Sequence, residues 1–232
     1  MIANVIITSV VGGFLCLDRV FLLLMISRPI VAAPLIGYLL GDPYTGLVAG
    51  AFTELFWIDR LPMGIYIPPN STITAILITA SSIEAGHLLG FMSRGMFTLA
   101  VLVFVPFGHF AQKMDFLIVK GNEKLADEAL RDVMKIDDNS LSRKHFFPLL
   151  KTWAFSAGFI MVALGLGIPL LTFLYPVLPG WTGRGLEILY PLLPLIGTAV
   201  ALNATHVRGF FPVFCGVFLF AGALFYYIKG IS

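Results

Sequence analysis

Charged residues are confined almost entirely to one stretch of this sequence. Residues 112–151 hold 15 of its Lys, Arg, Asp and Glu residues, eight basic and seven acidic, and the other 192 residues hold only 13. An ordinary soluble domain carries roughly 25% charged residues; this chain has 12%, with 58% hydrophobic residues. Two apolar blocks, 1–111 and 152–232, are therefore joined by a polar connector, 112–151. That segregation predicts an all-α, polytopic integral membrane protein, its three stretches forming one membrane domain.

The same arithmetic excludes other classes. A net charge of +2 gives no case for nucleic acid. Cys16 and Cys215 stand alone in apolar runs at opposite ends, so neither a disulfide framework nor a metal site is indicated. No basic residue precedes Arg19, and the apolar start is read as a retained segment, not a signal peptide.

A spanning helix needs about 20 apolar residues. Residues 4–27, 86–111, 146–178 and 208–228 are long enough, the first interrupted by Asp18-Arg19. Residues 29–41 and 44–58 are apolar but reach only roughly 20 Å each as helices. Between them Gly41 is placed to close one helix, Asp42 to cap the next and Pro43 to occupy its first position. The stretch 61–72 holds three prolines and one glycine, so a regular helix is not expected there. Short apolar helices beside uncharged irregular backbone predict broken or re-entrant helices, tolerated at membrane depth where protein or a wet cavity satisfies the backbone. Pro34-Leu35-Ile36-Gly37 recurs as Pro194-Leu195-Ile196-Gly197, consistent with an internal repeat. Within the connector, Leu125, Ala126, Ala129, Leu130, Val133 and Met134 form an apolar stripe after Asn122 as cap, predicting an amphipathic helix against lipid or the bundle. Its eight basic residues mark the cytoplasmic face.

Charge inside the apolar blocks is costly and is read as functional by default. Gly46, Gly50 and Glu54 recur every four residues and share a helix face, with Thr53 and Trp57 beside them. The glycines permit close helix approach. A carboxylate and an indole together suit a sugar, one bonding hydroxyls and the other packing on C–H groups. The alternative for Glu54 is structural: a bond to broken-helix backbone or a pair with an arginine. Asp18 and Arg19 either pair with other charges or mark a bend. Arg28, before Pro29, opens a helix and anchors to headgroups or a carboxylate. Asn70 is a loop cap or a substrate contact, and Asn203 a ligand group or a helix–helix hydrogen bond. His87 and His109 read as interfacial or backbone-satisfied, and Asp59-Arg60 as a local pair. No zinc-protease motif, nucleophile elbow or Walker loop is present, so no catalytic, metal or cofactor residue is assigned.

Arg28-Pro29, Pro34-Leu35-Ile36-Gly37, Leu40-Gly41-Asp42, Thr45-Gly46, Gly50 and Glu54 together resemble the IIC membrane subunit of the mannose/sorbose-type sugar phosphotransferase system. The resemblance continues through Pro68-Pro69-Asn70, Ala85-Gly86-His87, Gly197, Ala199 and Asn203, and Arg208-Gly209 before Pro212, touching both apolar blocks. It implies a multi-pass protein of the bacterial inner membrane that pairs with a IID subunit into larger hetero-oligomers and moves a sugar-carrying part against a scaffold. It implies a hexose site in which Glu54, Asn70 and, more weakly, Asn203 contact the sugar. It also implies phosphoryl transfer by separate IIA and IIB subunits. Two departures stand out. Asn70 occupies a position where such subunits commonly carry an acid, and Leu22, Leu23, Leu24, Met25 and Ile26 offer nothing polar where many carry a Gln. The rival readings are an ion-coupled secondary transporter with Glu54 as its proton site, and a non-transporting scaffold or regulatory subunit.

Overall fold

The computed structural model describes residues 1–21, 23–60, 64, 66–133, 138–204, 212, 215, 216 and 219, with side chains omitted over 124–145. Among the described residues the ordered elements are helices: α1 (Ile2–Leu17), α2 (Pro29–Leu40), α3 (Pro43–Phe56), α4 (Ser71–Leu89), α5 (Arg94–Phe104), α6 (Phe107–Val133), α7 (Asp138–Val177), α8 (Gly180–Leu189) and α9 (Leu192–Ala204). Three stretches, Ser71–Leu89, Arg94–Glu123 and Phe146–Val177, are long and apolar enough to cross a membrane. The pair α8 and α9, bent by 41°, makes a fourth if it counts as one broken span.

The turn between α2 and α3 forms as its residues dictate. Gly41 takes φ +91°, the left-handed conformation that ends a helix cheaply only at glycine. Asp42 then caps α3, accepting from Thr45 N at 3.1 Å and from Thr45 Oγ1 at 2.6 Å, with Pro43 in the first turn. The two helices lie backbone against backbone. A Cβ added at Gly46 would collide with the Ala33 carbonyl, and one at Gly50 with that of Pro29. In a bilayer, where lipid is as apolar as leucine, close van der Waals approach of this kind holds helices together.

The core element is α4. Residues 72–86 along it are all buried, and α1, α2, α3, α5, α6 and α7 pack around it. Several of its hydroxyls are turned on backbone carbonyls: Thr79 Oγ1 reaches Ala75 O at 2.8 Å and Thr72 Oγ1 reaches Ser27 O at 2.6 Å. A helix buried all round has no amphipathic stripe. For that reason α4 does not stand out in the sequence, and the span expected at 86–111 is misplaced. Gly90, at φ +75°, ends α4, and α5 begins at Arg94.

The expected span at 4–27 is likewise shorter, because α1 stops at Leu17. Asp18 terminates it, its carboxylate accepting from Leu24 N at 2.7 Å, Ser27 N at 3.0 Å and Ser27 Oγ at 2.9 Å. Those bonds fold the chain back and hold Leu23 and Met25 at φ +54° and +64°, uncommon for non-glycine residues. Asn122 does not cap a new helix, since α6 runs through it to Val133. Neither position 112 nor position 151 coincides with a helix end, as α6 and α7 run through them. The stripe residues at 125–134 fall where side chains are not described, and 208–228 lies almost wholly outside the described residues.

Candidate functional site

The open end of the α2–α3 hairpin faces a cavity of about 420 Å³. Asp18, Arg19, Ser27, Arg28, Glu54 and Trp57 are among the polar and aromatic residues of its wall, and Pro68-Pro69 add irregular backbone. Each part has a local cause. Arg28 is the N-cap of α2 and Glu54 lies in the last turn of α3, so the antiparallel hairpin sets them side by side. Glu54 Oε1 accepts from Arg28 Nη1 at 2.8 Å, and Oε2 stands 3.5 Å from Ile30 N. That carboxylate therefore also sits at the N-terminus of α2, where the helix dipole favours negative charge. Both features named as the structural alternative for Glu54, an arginine pair and a backbone contact, are present, and the residue still lines the cavity. Its side chain is 20% exposed and that of Arg28 46%.

Trp57 lines the same cavity but is only 8% exposed. Its ring stands roughly perpendicular to those of Phe56 and His109 and closes on Gly108. Asp18 is 1% exposed and fully engaged with backbone and Ser27. Its bend and its hydrogen bonds make it a brace for the loop that forms one wall. Asp42 is at the far end of α3 from Glu54, roughly 18 Å away at 1.5 Å per residue, and serves as a cap. Asp59 and Arg60 form the expected local pair at 3.4 Å.

Asn70 is also a cap. Its Oδ1 accepts from Ile73 N at 3.1 Å at the start of α4, and its Nδ2 donates to Asp115 Oδ2 at 2.9 Å. It lines a second, smaller cavity of about 200 Å³, which shares Arg19 and Pro68 with the first. Asn203 is exposed on α9 and lines neither cavity. The structure thus brings Glu54, Trp57, Arg28 and Asp18 together, places Asn70 next door and leaves Asn203 and Asp42 apart.

Sequence reasoning gave no role to two acids. Asp115 stands 3.7 Å from Arg19 Nη1 and bonds Asn70, joining α1, α4 and α6. It was grouped with the polar connector, although Met114, Phe116, Leu117, Ile118 and Val119 around it are apolar. Glu84, 3% exposed, accepts from Asn4 Nδ2 at 2.6 Å beside the first turn of α1. Its signal was an acid inside the apolar run 73–89.

Comparison with known proteins gives a consistent result. A family model described as the PTS system sorbose-specific IIC component matches residues 2–231. The chain is 26% identical over 204 residues to N-acetylgalactosamine permease IIC component 1 of Escherichia coli (strain K12), covering 85% of this chain and 71% of the relative. It is 23% identical over 218 residues to the sorbose-specific EIIC component of Lacticaseibacillus casei, covering 94% of this chain and 74% of that protein. Among solved structures, a complex of the mannose transporter ManYZ with microcin E492 contains a chain of similar fold, with TM-score 0.59 and 20% identity, covering 95% of this chain and 85% of that one.

Proposed function

The chain belongs to the family of sorbose-specific IIC components of the sugar phosphotransferase system, and on that premise we propose that the cavity between Arg28, Glu54 and Trp57 is where it holds its sugar. As a IIC component it is a multi-pass bacterial membrane permease subunit, and phosphoryl transfer is the work of separate IIA and IIB subunits. The relatives are named for N-acetylgalactosamine, sorbose and mannose, so the family by itself leaves the sugar open.

The observation that carries the site is the placement of Glu54. A carboxylate held at 2.8 Å by Arg28 keeps lone pairs free toward the cavity and accepts hydroxyl hydrogen bonds there. Arg28 has further N–H groups for ring or hydroxyl oxygens. The irregular backbone at 23–28 and 66–70 adds peptide groups to the wall, the arrangement that transporters use at midplane sites. Asn70 contributes through its bond to Asp115, and Trp57 as the aromatic part of the wall. A cavity of about 420 Å³ has room for one hexose ring and accompanying water.

We further propose that the chain works beside a IID-type membrane subunit, in lipid and in a hetero-oligomer, and that IIB receives the sugar at the cytoplasmic mouth. In this reading 1–111 and 152–232 are two parts of one membrane domain, and 112–151 links them.

Glu54→Gln keeps the shape and removes the charge. Sugar uptake in cells supplying the partner subunits is expected to fall at least about tenfold, the loss of one charge-assisted contact, while membrane insertion is unchanged. Uptake at the unaltered level would refute the assignment. The Arg28 pair also favours a second reading, in which Glu54 only holds α2 against α3. In that case Glu54→Gln would lower the yield of folded protein and leave uptake per folded molecule intact.

A further inference from the structure

The cavity assigned to the sugar is lined by more positive charge than a neutral sugar needs. Three arginines, Arg19, Arg28 and Arg60, face it together with two acids, Asp18 and Glu54. Asp18 is 1% exposed and spends its carboxylate on Leu24 and Ser27. We infer that Arg60, at the rim of this cavity, binds the phosphoryl group as it passes from IIB to the sugar. This rests on the cavity being the sugar site.

Exposure grades the charged side chains from the inner wall to the mouth. Glu54 is 20% exposed and Arg19 24%, whereas Arg28 is 46% and Arg60 54% exposed. Groups suited to hydroxyls therefore lie inside, and two guanidiniums stand at the opening. Each of the two is held by one nitrogen. Glu54 takes Arg28 by Nη1, and Asp59, which does not line the cavity, takes Arg60 by Nε at 3.4 Å. The Nη groups of Arg60 have no acceptor among the described residues. A planar fork with a free edge meets phosphate oxygens two at a time. A hexose is neutral until it is phosphorylated, and only then carries the charge that this opening complements.

The cavity also lies on the side where the donor acts. Asp18 and Arg19 follow the last residue of α1, and that end of α1 rests on α7 near the connector: a Cβ at Gly13 would meet Ala157 and Trp153. Cys16 and Arg19 line the smaller cavity together with Asn122 and Thr152. The sugar cavity, sharing Arg19, is thus in the half of the bundle from which α6 and α7 run into the connector. The basic residues of the connector mark that face as cytoplasmic.

In the transfer, the bond between phosphorus and a side chain of IIB breaks as a P–O bond to a sugar hydroxyl forms. The hydroxyl proton passes to the departing IIB side chain. Negative charge on the peripheral phosphoryl oxygens is what Arg60 stabilises, with Arg28 contributing from the same rim.

The test uses the full chain in membranes with its IID-type partner, and purified phosphorylated IIB. The probe is whichever of N-acetylgalactosamine, sorbose and mannose the wild type binds. Equilibrium binding gives the sugar Kd. Single-turnover phosphorylation at saturating IIB gives the transfer rate, free of any effect on docking. Rates are normalised to sugar-binding sites, so loss of folded protein does not mimic slow transfer. Arg60→Gln is expected to slow transfer at least about tenfold, with Kd within about twofold of wild type. Arg60→Lys, which keeps the charge but not the fork, is expected to recover part of the rate. An unchanged rate in Arg60→Gln overturns the inference. Weaker sugar binding with an unchanged rate also overturns it and makes Arg60 a sugar contact. If Glu54→Gln abolishes sugar binding while Arg60→Gln transfers normally, the sugar cavity stands and only the phosphoryl role is lost. If Glu54→Gln leaves binding unchanged, the sugar cavity itself is misplaced and this inference falls with it.

Discussion

The α2–α3 hairpin and the α4 helix handle polar groups in a low-dielectric setting in opposite ways. In α4 the hydroxyls of Thr72, Thr74 and Thr79 are buried and bonded to backbone carbonyls, and of its buried hydroxyls Ser82 Oγ is the exception, without a partner among the described residues. In the hairpin the close contacts between the helices are made by glycine, alanine and proline, and Asp42 caps the turn at one end while Arg28 and Glu54 face a cavity at the other. The contrast teaches that threonines bonded to carbonyls build the scaffold, whereas the charged groups that line the cavity gather where backbone is irregular. Of the three threonines, only the Thr72 hydroxyl reaches out of its helix, and a bond of that kind between membrane segments is worth about 0.6 kcal/mol on average. The cavity groups carry charge and are costly to hold without partners.

That comparison can be broken at several points, with effects of decreasing size. Gly50→Val drives a branched side chain into the Pro29 carbonyl. Overpacking costs of about 1–3 kcal/mol, or more against backbone, should separate α2 from α3 and leave little folded protein by size-exclusion chromatography after extraction. Asp18→Ala frees the N–H groups of Leu24 and Ser27 near the cavity wall. A loss of about 1–3 kcal/mol is expected, read as a lower unfolding temperature together with weaker sugar binding, because the loop itself forms part of the wall. Thr79→Val removes one hydroxyl bonded within its own helix and keeps the volume. Its effect should stay below about 1 kcal/mol, with binding unchanged. A large loss of binding in Thr79→Val would erase the distinction between the two regions.

How much of this was legible in the residues depended on how local the signals were. Gly41-Asp42-Pro43 specifies its turn within three positions, and the structure follows it atom by atom. The spacing of Gly46, Gly50 and Glu54 placed the carboxylate on the glycine face for the same reason. The helix α4 was not legible, because a segment buried on every side has no periodicity to read. The bend after Leu17 was also hidden: Asp18 acts on the backbone of Leu24 and Ser27, and backbone groups leave no trace in composition. Asp115 escaped notice because its partners, Arg19 and Asn70, are 96 and 45 positions away in the chain and meet it only in the fold.

The packing of α2 on α3 has a mechanical consequence. A cushion of interlocked side chains between two helices can slip or change rotamers under load and so absorb displacement. Here Gly37 lies on Asp42 and Pro43, Gly46 on Ala33 and Gly50 on Pro29, so main chain bears on main chain from one end of the pair to the other. No layer in between can yield. The hairpin is therefore built as a stiff unit, in which the Gly41-Asp42-Pro43 turn and the end that carries Arg28 and Glu54 are tied to move together.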